Sequence, residues 1–340
     1  MLNVRISEEL YRKIKEVAER RKVSVSELVR GALEEHVRRT RPIGDAEVKK
    51  CLENVVGVIP AGGKEVDWIK EYCATPRPVL TLLHEGREYY PLILILKSFE
   101  RAGVRRVCVM GGYGFGLVRR VLESNLGLLE YFHRLYLIDE RRGSVYVKDG
   151  SKLREERRGE EERELCGTGG TLLLLKELLE DLNESYDTLL VNYGDILHDI
   201  DLRELVRRHL ALKSSYEDLL GTIAVSTNAD LDFGAVMYRG GLVERFEERP
   251  VIGRVAEGWG VNIGVAVLEK GIFAPIEGLR RAGGGLDLFG SVIPWIVKRG
   301  RRVGVYLYRG EWIDVGLKVK QHQEKYPFIR ELIERLKAGR

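Results

Sequence analysis

The chain has 340 residues, enough for a large core and more than one domain. No apolar run approaches the roughly 18 residues of a membrane span, and the amino terminus lacks the apolar stretch of a secretion signal. Its four cysteines, Cys51, Cys73, Cys108 and Cys166, form no CxxC pair, which argues against a zinc or disulfide framework and fits a reducing cytoplasm. Charged side chains make up 32% of the chain and Gln and Met are few, a composition that suits a thermophile's surface. The net charge of +4 is unevenly placed: residues 1–50 hold 13 Lys+Arg and 9 Asp+Glu. Of the chain's 56 basic and 52 acidic side chains, the remainder keeps 43 of each and is neutral. A small basic module ahead of a neutral globular domain is expected.

Within that module Leu2, Val4 and Ile6 alternate with Asn3 and Arg5, a strand pattern with one polar face. Ser7 then caps a helix from Glu8 to about Arg21, with Leu10, Ile14 and Val17 at helical spacing. Ser24 and Glu27 form a capping box that opens a second helix to about Arg39. A strand and two helices in some forty residues cannot bury a core alone, so dimerisation is expected. The order resembles the ribbon-helix-helix DNA-binding domain over about residues 1–40. The resemblance implies that two such strands pair across a dimer and enter the major groove. Met1, Asn3 and Arg5 would face the bases, and Val25-Ser26 at the start of the second helix would touch phosphate. A dimerisation module that never meets DNA is the alternative.

Residues 41–54 contain Pro42, Gly44 and charged side chains and read as a linker. The stretch that organises everything beyond it runs from Val55 to Pro78. An apolar run, Val55 to Ile59, predicts a buried parallel strand. Ala61-Gly62-Gly63 follows, and glycine there lets the backbone turn sharply and present N–H groups to a ligand such as a phosphate. Pro76-Arg77-Pro78 then fixes a cation before the next apolar run, Val79 to Leu83.

Alternating units come next. A helix near Pro91 to Arg101 leads to the strand Val104 to Met110, then to Gly111-Gly112-Tyr113-Gly114 and a helix from about Phe115 to Glu123. The strand Arg134 to Ile138 enters a charged stretch, Asp139 to Glu164, expected as a solvated hairpin or excursion. Cys166-Gly167-Thr168-Gly169-Gly170-Thr171 opens a helix from Leu172 to Leu182. Thr188 to Asn192 is a buried strand with Tyr193-Gly194-Asp195 at its end, where a carboxylate suits a magnesium ion. Asp199 and Asp201 are expected to start a helix from Leu202 to His209, while His198 and His209 have no ligand-like spacing. Lys318 to Leu336 predicts an amphipathic helical tail.

These motifs resemble, in order, those of the sugar-phosphate nucleotidyltransferases, over about residues 55–316. In that family Ala-Gly-Gly-x-Gly-Thr-Arg follows the first strand, matched here by Ala61, Gly62 and Gly63 with Lys64 next; the Gly-Thr-Arg falls on Glu65-Val66-Asp67 and the catalytic-loop Lys on Arg77. Gly167, Thr168 and Gly169 match the Gly-Thr-Ala segment that packs on the base. Asn192-Tyr193-Gly194-Asp195 matches Asn-Gly-Asp with a tyrosine inserted, and Trp312-Ile313-Asp314-Val315-Gly316 matches Trp-x-Asp-x-Gly. Gly234, Glu248, Arg249 and Asn262 match positions that face the sugar.

The resemblance implies an α/β, Rossmann-like domain with a mixed, mostly parallel sheet over 55–317, followed by a helical tail over 318–340. It implies a magnesium ion on Asp195 and Asp314, with Arg77 by the α-phosphate. The expected activity is transfer of a nucleotidyl group from a nucleoside triphosphate to a sugar 1-phosphate, in a homodimer or dimer of dimers with a DNA-binding module. The altered loop leaves a second reading, a regulator that senses a nucleotide or nucleotide sugar and controls DNA binding. Lys64 and Lys70 are candidate substitutes for the missing loop arginine.

Overall fold

A computed structural model describes residues 7–21, 23–40, 42–62, 75–159, 167–227, 235–247, 259–315 and 319–337. In chain order, helices α1 (Glu8–Arg21), α2 (Val25–Thr40) and α3 (Asp45–Asn54) precede strand β1 (Val56–Pro60). A 3-10 turn at Arg77–Val79 and the hairpin β2 (Leu82–His84) and β3 (Arg87–Tyr89) lead to α4 (Pro91–Ala102) and β4 (Arg106–Gly111). Then come α5 (Phe115–Ser124), β5 (Arg134–Asp139), β6 (Ser144–Asp149), β7 (Lys152–Arg157) and α6 (Gly167–Asp181). The second half holds β8 (Thr188–Asn192), β9 (Ile196–His198), α7 (Leu202–Ser215), β10 (Leu219–Ser226), β11 (Ala235–Arg239), β12 (Leu242–Glu247) and β13 (Trp259–Glu269). Helices α8 (Phe273–Arg281) and α9 (Ile293–Lys298), strands β14 (Arg302–Tyr308) and β15 (Trp312–Asp314), and α10 (Val319–Lys337) complete it.

β1 takes the centre because its side chains suit no other place. Val55 and Ile59 join the apolar cluster on one face of the sheet, with Leu92, Phe99, Leu205 and Phe328. Val56 and Val58 join the cluster on the other face, with Leu175, Ile276 and Val292. A strand apolar on both sides needs helices over both faces, and α3, α4, α7 and α10 cover one while α6, α8 and α9 cover the other. Each such buried aliphatic side chain contributes roughly 1.5–3 kcal/mol.

The main sheet is mixed. Its centre is parallel, in the order β8-β1-β4-β5, and the flanks add antiparallel strands. The charged stretch after Asp139 is a hairpin, β6 and β7, that extends one edge. At the other side β10, β14, β12, β11 and β13 close on themselves through a β10–β13 pairing. β1 is first in sequence among the parallel strands, yet its neighbours lie on either side: β4 and β5 step one way, β8 the other. Chain direction across the sheet therefore reverses between β1 and β8, which opens a crevice at their carboxyl ends. Among the described residues no helix is long and apolar enough to cross a membrane.

The expected linker over 41–54 needs correction. Ten of its residues form α3, whose Val48 and Leu52 are fully or almost fully buried in the core. Two apolar positions four apart are enough to dock a helix onto an existing hydrophobic face. In the basic module α1 and α2 fall where periodicity put them. The Ser24 and Glu27 capping box is formed: Glu27 N–H donates to Ser24 Oγ at 3.1 Å and Ser24 N–H to Glu27 Oε2 at 2.9 Å. The expected strand over Leu2 to Ile6, with Asn3 and Arg5, lies outside the described residues. The tail is one helix, α10, with Phe328, Ile329, Leu332 and Ile333 buried.

At the crevice, β8 ends on Asn192, which is fully buried. Its Nδ2 donates to the carbonyls of Tyr193 (2.8 Å) and Ile196 (3.1 Å), folding the chain back on itself. Its Oδ1 meets His198 Nε2 at 2.6 Å, and His198 Nδ1 accepts the N–H of Ile200 at 3.2 Å. Nε2 must therefore carry the proton, and the imidazole is neutral. Burial holds its pKa down at about 4. In the unfolded chain this histidine takes up its proton near the ordinary value of about 6.5, so the folded state is disfavoured as pH falls from there towards 4. Between about pH 7 and pH 5 this single group should cost about 2 kcal/mol of stability. His198→Gln, which keeps a donor for Asn192, should lose correspondingly less over the same interval in urea unfolding. Equal losses in the two proteins would remove His198 from the account.

Candidate functional site

The crevice is lined by backbone that only glycine permits. Gly194 N–H donates to Pro60 O at 2.9 Å, tying the end of β8 to the end of β1. A Cβ on Gly194 would lie 2.9 Å from that oxygen and 3.0 Å from Pro78 Cγ. Gly62 is as confined: its carbonyl accepts from Tyr113 N–H at 3.2 Å, and a Cβ there would collide with the backbone of Gly112. Ala61 is buried beside it, with its N–H given to Met110 O at 2.7 Å. The first glycine turn is thus clamped on the following strand, and the second crosses it within contact distance.

The fold-back braced by Asn192 and His198 lets β9 pair antiparallel with β15, so that Ile196 lies opposite Asp314. Val315 N–H donates to Asp195 O at 2.9 Å. Two carboxylates from distant parts of the chain are thereby set side by side. Arg77 reaches both through Nη1, 2.8 Å from Asp195 Oδ2 and 3.4 Å from Asp314 Oδ1. The three side chains are 24%, 17% and 20% exposed, open to a ligand yet partly desolvated. The prolines on either side of Arg77 fix φ in its 3-10 turn and hold the guanidinium's root in place. All three residues expected to carry the chemistry meet at one point.

The glycine-rich start of α6 faces the same crevice through Thr168. Its hydroxyl donates to Asp287 Oδ2 at 3.1 Å and accepts the N–H of Leu288 at 2.8 Å. Tyr193 OH lies 2.9 Å from the same oxygen, and because the threonine proton is already given to Asp287, the tyrosine is the donor. Tyr193, which interrupts the expected Asn-Gly-Asp, is therefore a strut between the carboxylate loop and the glycine helix, with its ring 5.2 Å from that of Phe289. Gly167 has φ +75°, and Gly169 gives its N–H to Leu286 O, so this turn packs on the segment before Leu288. Asn262 stands on β13 with its Oδ1 accepting from Gly264 N–H at 3.3 Å, and Gly264 O in turn accepts from Tyr193 N–H.

Glu140 was not anticipated. It follows β5 inside the charged stretch, yet it is 7% exposed and its Oε1 lies beneath Gly62. Burial pushes its carboxyl up to about 7, against the favourable hydrogen bond from Thr171. A carboxyl that is partly protonated at neutral pH can donate as well as accept, directly under the first glycine turn. Asp199 also departs from expectation: it bonds the Tyr308 hydroxyl and sits 3.1 Å from Arg335. Asp201 alone caps α7, accepting from Arg203 N–H at 2.9 Å. His198 and His209 are both buried packing residues. Gly63, Lys64, Gly234, Glu248, Arg249, Asn3 and Arg5 lie outside the described residues, as does the Glu65-Val66-Asp67 segment; Ser26 is exposed in the first turn of α2.

Comparison with known proteins agrees with this layout. Residues 137–325 match the family model of nucleotidyl transferases, and residues 2–40 match that of ribbon-helix-helix proteins of the copG family. Glucose-1-phosphate adenylyltransferase of Desulfitobacterium hafniense (strain DSM 10664 / DCB-2) is 28% identical over 153 residues, 44% of this chain and 37% of its own length. Mannose-1-phosphate guanyltransferase beta-B of Xenopus laevis is 24% identical over 237 residues, 63% of this chain and 61% of its own. The chain thus spans little more than a third of the first of these relatives and about three fifths of the second. A Bacillus anthracis structure described as a glucose-1-phosphate thymidylyltransferase, in complex with sucrose, superposes with a TM-score of 0.56 at 18% identity. It covers 81% of this chain and 95% of its own, and at that identity the likeness is one of fold. Since the family model covers more than half of the residues and its span takes in both carboxylates, the chain belongs to the nucleotidyl transferase family, with a ribbon-helix-helix segment ahead of that domain.

Proposed function

We propose that the chain is a sugar-1-phosphate nucleotidyltransferase carrying a DNA-binding module. The observation that supports this most is the meeting of Asp195, Asp314 and Arg77 at the carboxyl end of the switch-point strands. In the proposed reaction a phosphate oxygen of the sugar 1-phosphate attacks the α-phosphorus of a nucleoside triphosphate, the bond to the β-phosphate oxygen breaks, and pyrophosphate leaves. Such a step asks for alignment and charge neutralisation rather than covalent participation by the protein. The turn through Ala61 and Gly62, continuing into Gly63 and Lys64, would hold the triphosphate. Gly167, Thr168 and Gly169 would border the base, and Asn262 with Gly234, Glu248 and Arg249 would take the sugar phosphate.

The donor set fits a hard divalent cation, because two carboxylates reach a single positive centre. Asp195 and Asp314 would hold magnesium, which supplies charge neutralisation on the triphosphate when bound. Arg77 is the counter-ion to both until then, and on release it is free to pair with the α-phosphate. Removing it leaves two neighbouring carboxylates with unrelieved repulsion. Arg77→Gln should therefore bind magnesium about tenfold tighter or more in calorimetry, while turning over more slowly. Unchanged or weaker magnesium binding would show that the guanidinium does not compete for the carboxylates.

The activity is tested by pyrophosphate release with magnesium across a panel of nucleoside triphosphates and sugar 1-phosphates. Turnover that vanishes in Asp195→Ala is the expected outcome. Absence of turnover with every pair, together with measurable nucleotide-sugar binding, would favour the regulator reading. That reading draws on the Glu65-Val66-Asp67 replacement, since Asp67 would repel a triphosphate.

For residues 1–40 the proposal is a homodimer whose paired strands enter duplex DNA, with Asn3 and Arg5 towards the bases and Ser26 towards phosphate. The basic excess confined to the first fifty residues supports it. In a gel shift on genomic fragments Arg5→Ala should bind more weakly than wild type. Equal binding would overturn the assignment.

A further inference from the structure

A second cavity lies away from the carboxylates, between α7, the turn joining β11 to β12, β14 and the two residues Pro42 and Ile43. Its volume is about 760 Å³, within the roughly 300–1,000 Å³ common for small-molecule sites. It shares no lining residue with Arg77, Asp195, Asp314 or the glycine turns.

The two arginines on its α7 wall are in different conditions. Arg207 is fully engaged: its guanidinium meets Glu204 at 2.9 Å, Asp45 at 2.7 Å and the Ile43 carbonyl at 2.7 Å. It pins residues 42–43 as a fixed side of the cavity. Arg208, by contrast, donates through Nε to the Val305 carbonyl at 3.3 Å, and among the described residues no carboxylate lies within ion-pairing distance. Desolvation lowers its pKa, the mark of a cation that the fold does not neutralise. The guanidinium rests on Gly241, which has φ +83° in the β11–β12 turn and leaves no room for a side chain there.

Around that charge the walls are apolar and aromatic. Tyr238 and Tyr306 are half-buried, and Leu307 is 42% exposed. Burial raises the Tyr306 hydroxyl's pKa, so it stays protonated and able to donate. A planar guanidinium with free N–H groups matches a phosphate, and ring faces beside it match a base. Glu204 is already held by Arg207, so it leaves the lining positive.

We propose that this cavity is a second ligand site, for a phosphorylated compound with an aromatic ring, of the nucleoside diphosphate class. Arg208 is its phosphate anchor, Tyr238 and Tyr306 are its ring contacts, and Pro42 and Ile43 are its lid-side wall. Because those two residues lie between α2 and α3, a ligand here touches the connection between the ribbon-helix-helix segment and the transferase domain. The site stands whether or not the chain turns over a sugar phosphate.

The test is calorimetry on the full chain with ADP, GDP, UDP and TDP, in wild type, Arg208→Gln, Leu307→Glu and Asp195→Ala. Leu307→Glu puts an anion at an exposed position of the cavity and carries little risk to folding. One class of nucleoside diphosphate sites should weaken at least tenfold in both cavity variants and persist in Asp195→Ala. Ribose 5-phosphate should bind this class more weakly than the nucleotides. Binding in Arg208→Gln and Leu307→Glu that equals wild type in number and affinity would overturn the proposal. So would equal binding of ribose 5-phosphate, which would leave the rings without a role.

Discussion

Two carboxylates held within reach of one guanidinium are the constraint that the rest of this structure serves. Placed side by side in a partly desolvated crevice, Asp195 and Asp314 would repel each other unless a cation lay between them. Arg77 meets that need from inside the chain, anchored between two prolines and therefore limited in how far its backbone can retreat. The pair is neither deeply buried nor fully exposed. Full burial would make the charges costly to form, and full exposure would make their attraction worth little.

The backbone around them is built to the same end. β8 and β1 end together at the point where strand order reverses, and Gly194 lets the two ends touch. Asn192 spends every polar atom of its side chain on shaping the next six residues, with a neutral His198 completing the set. Tyr193 then carries the arrangement across to Thr168 and the start of α6. A buried polar network of this kind is stabilising only when every member is satisfied, and among these residues each hydrogen bond has its partner.

The amino-terminal segment is joined more closely than composition suggests. α3 belongs to the core of the transferase domain, so only a few residues separate that domain from α2. Arg207 binds both the Ile43 carbonyl and Asp45, which fixes the direction in which the chain leaves the domain. The basic excess of the first fifty residues is therefore carried at a defined place on a neutral body.

The sequence by itself determined what depends on neighbours along the chain. Periodicity and capping placed α1 and α2, the apolar run at Val55 to Ile59 marked the central strand, and the short motifs singled out Arg77, Asp195 and Asp314. Their convergence was not legible in the residues alone. It arises from the pairing of β9 with β15, a contact between segments more than a hundred residues apart, and no local signal encodes which strands will meet. α3 looked like a linker because only Val48 and Leu52 are apolar at the right spacing, and docking supplies the rest of its stability. Glu140 looked like one more surface charge in a charged run, and only the packing of Gly62 against Gly112 above it shows that it is buried. The common reason is physical: propensity and hydrophobic pattern act over one turn or one strand, whereas burial and ion pairing are properties of the assembled core.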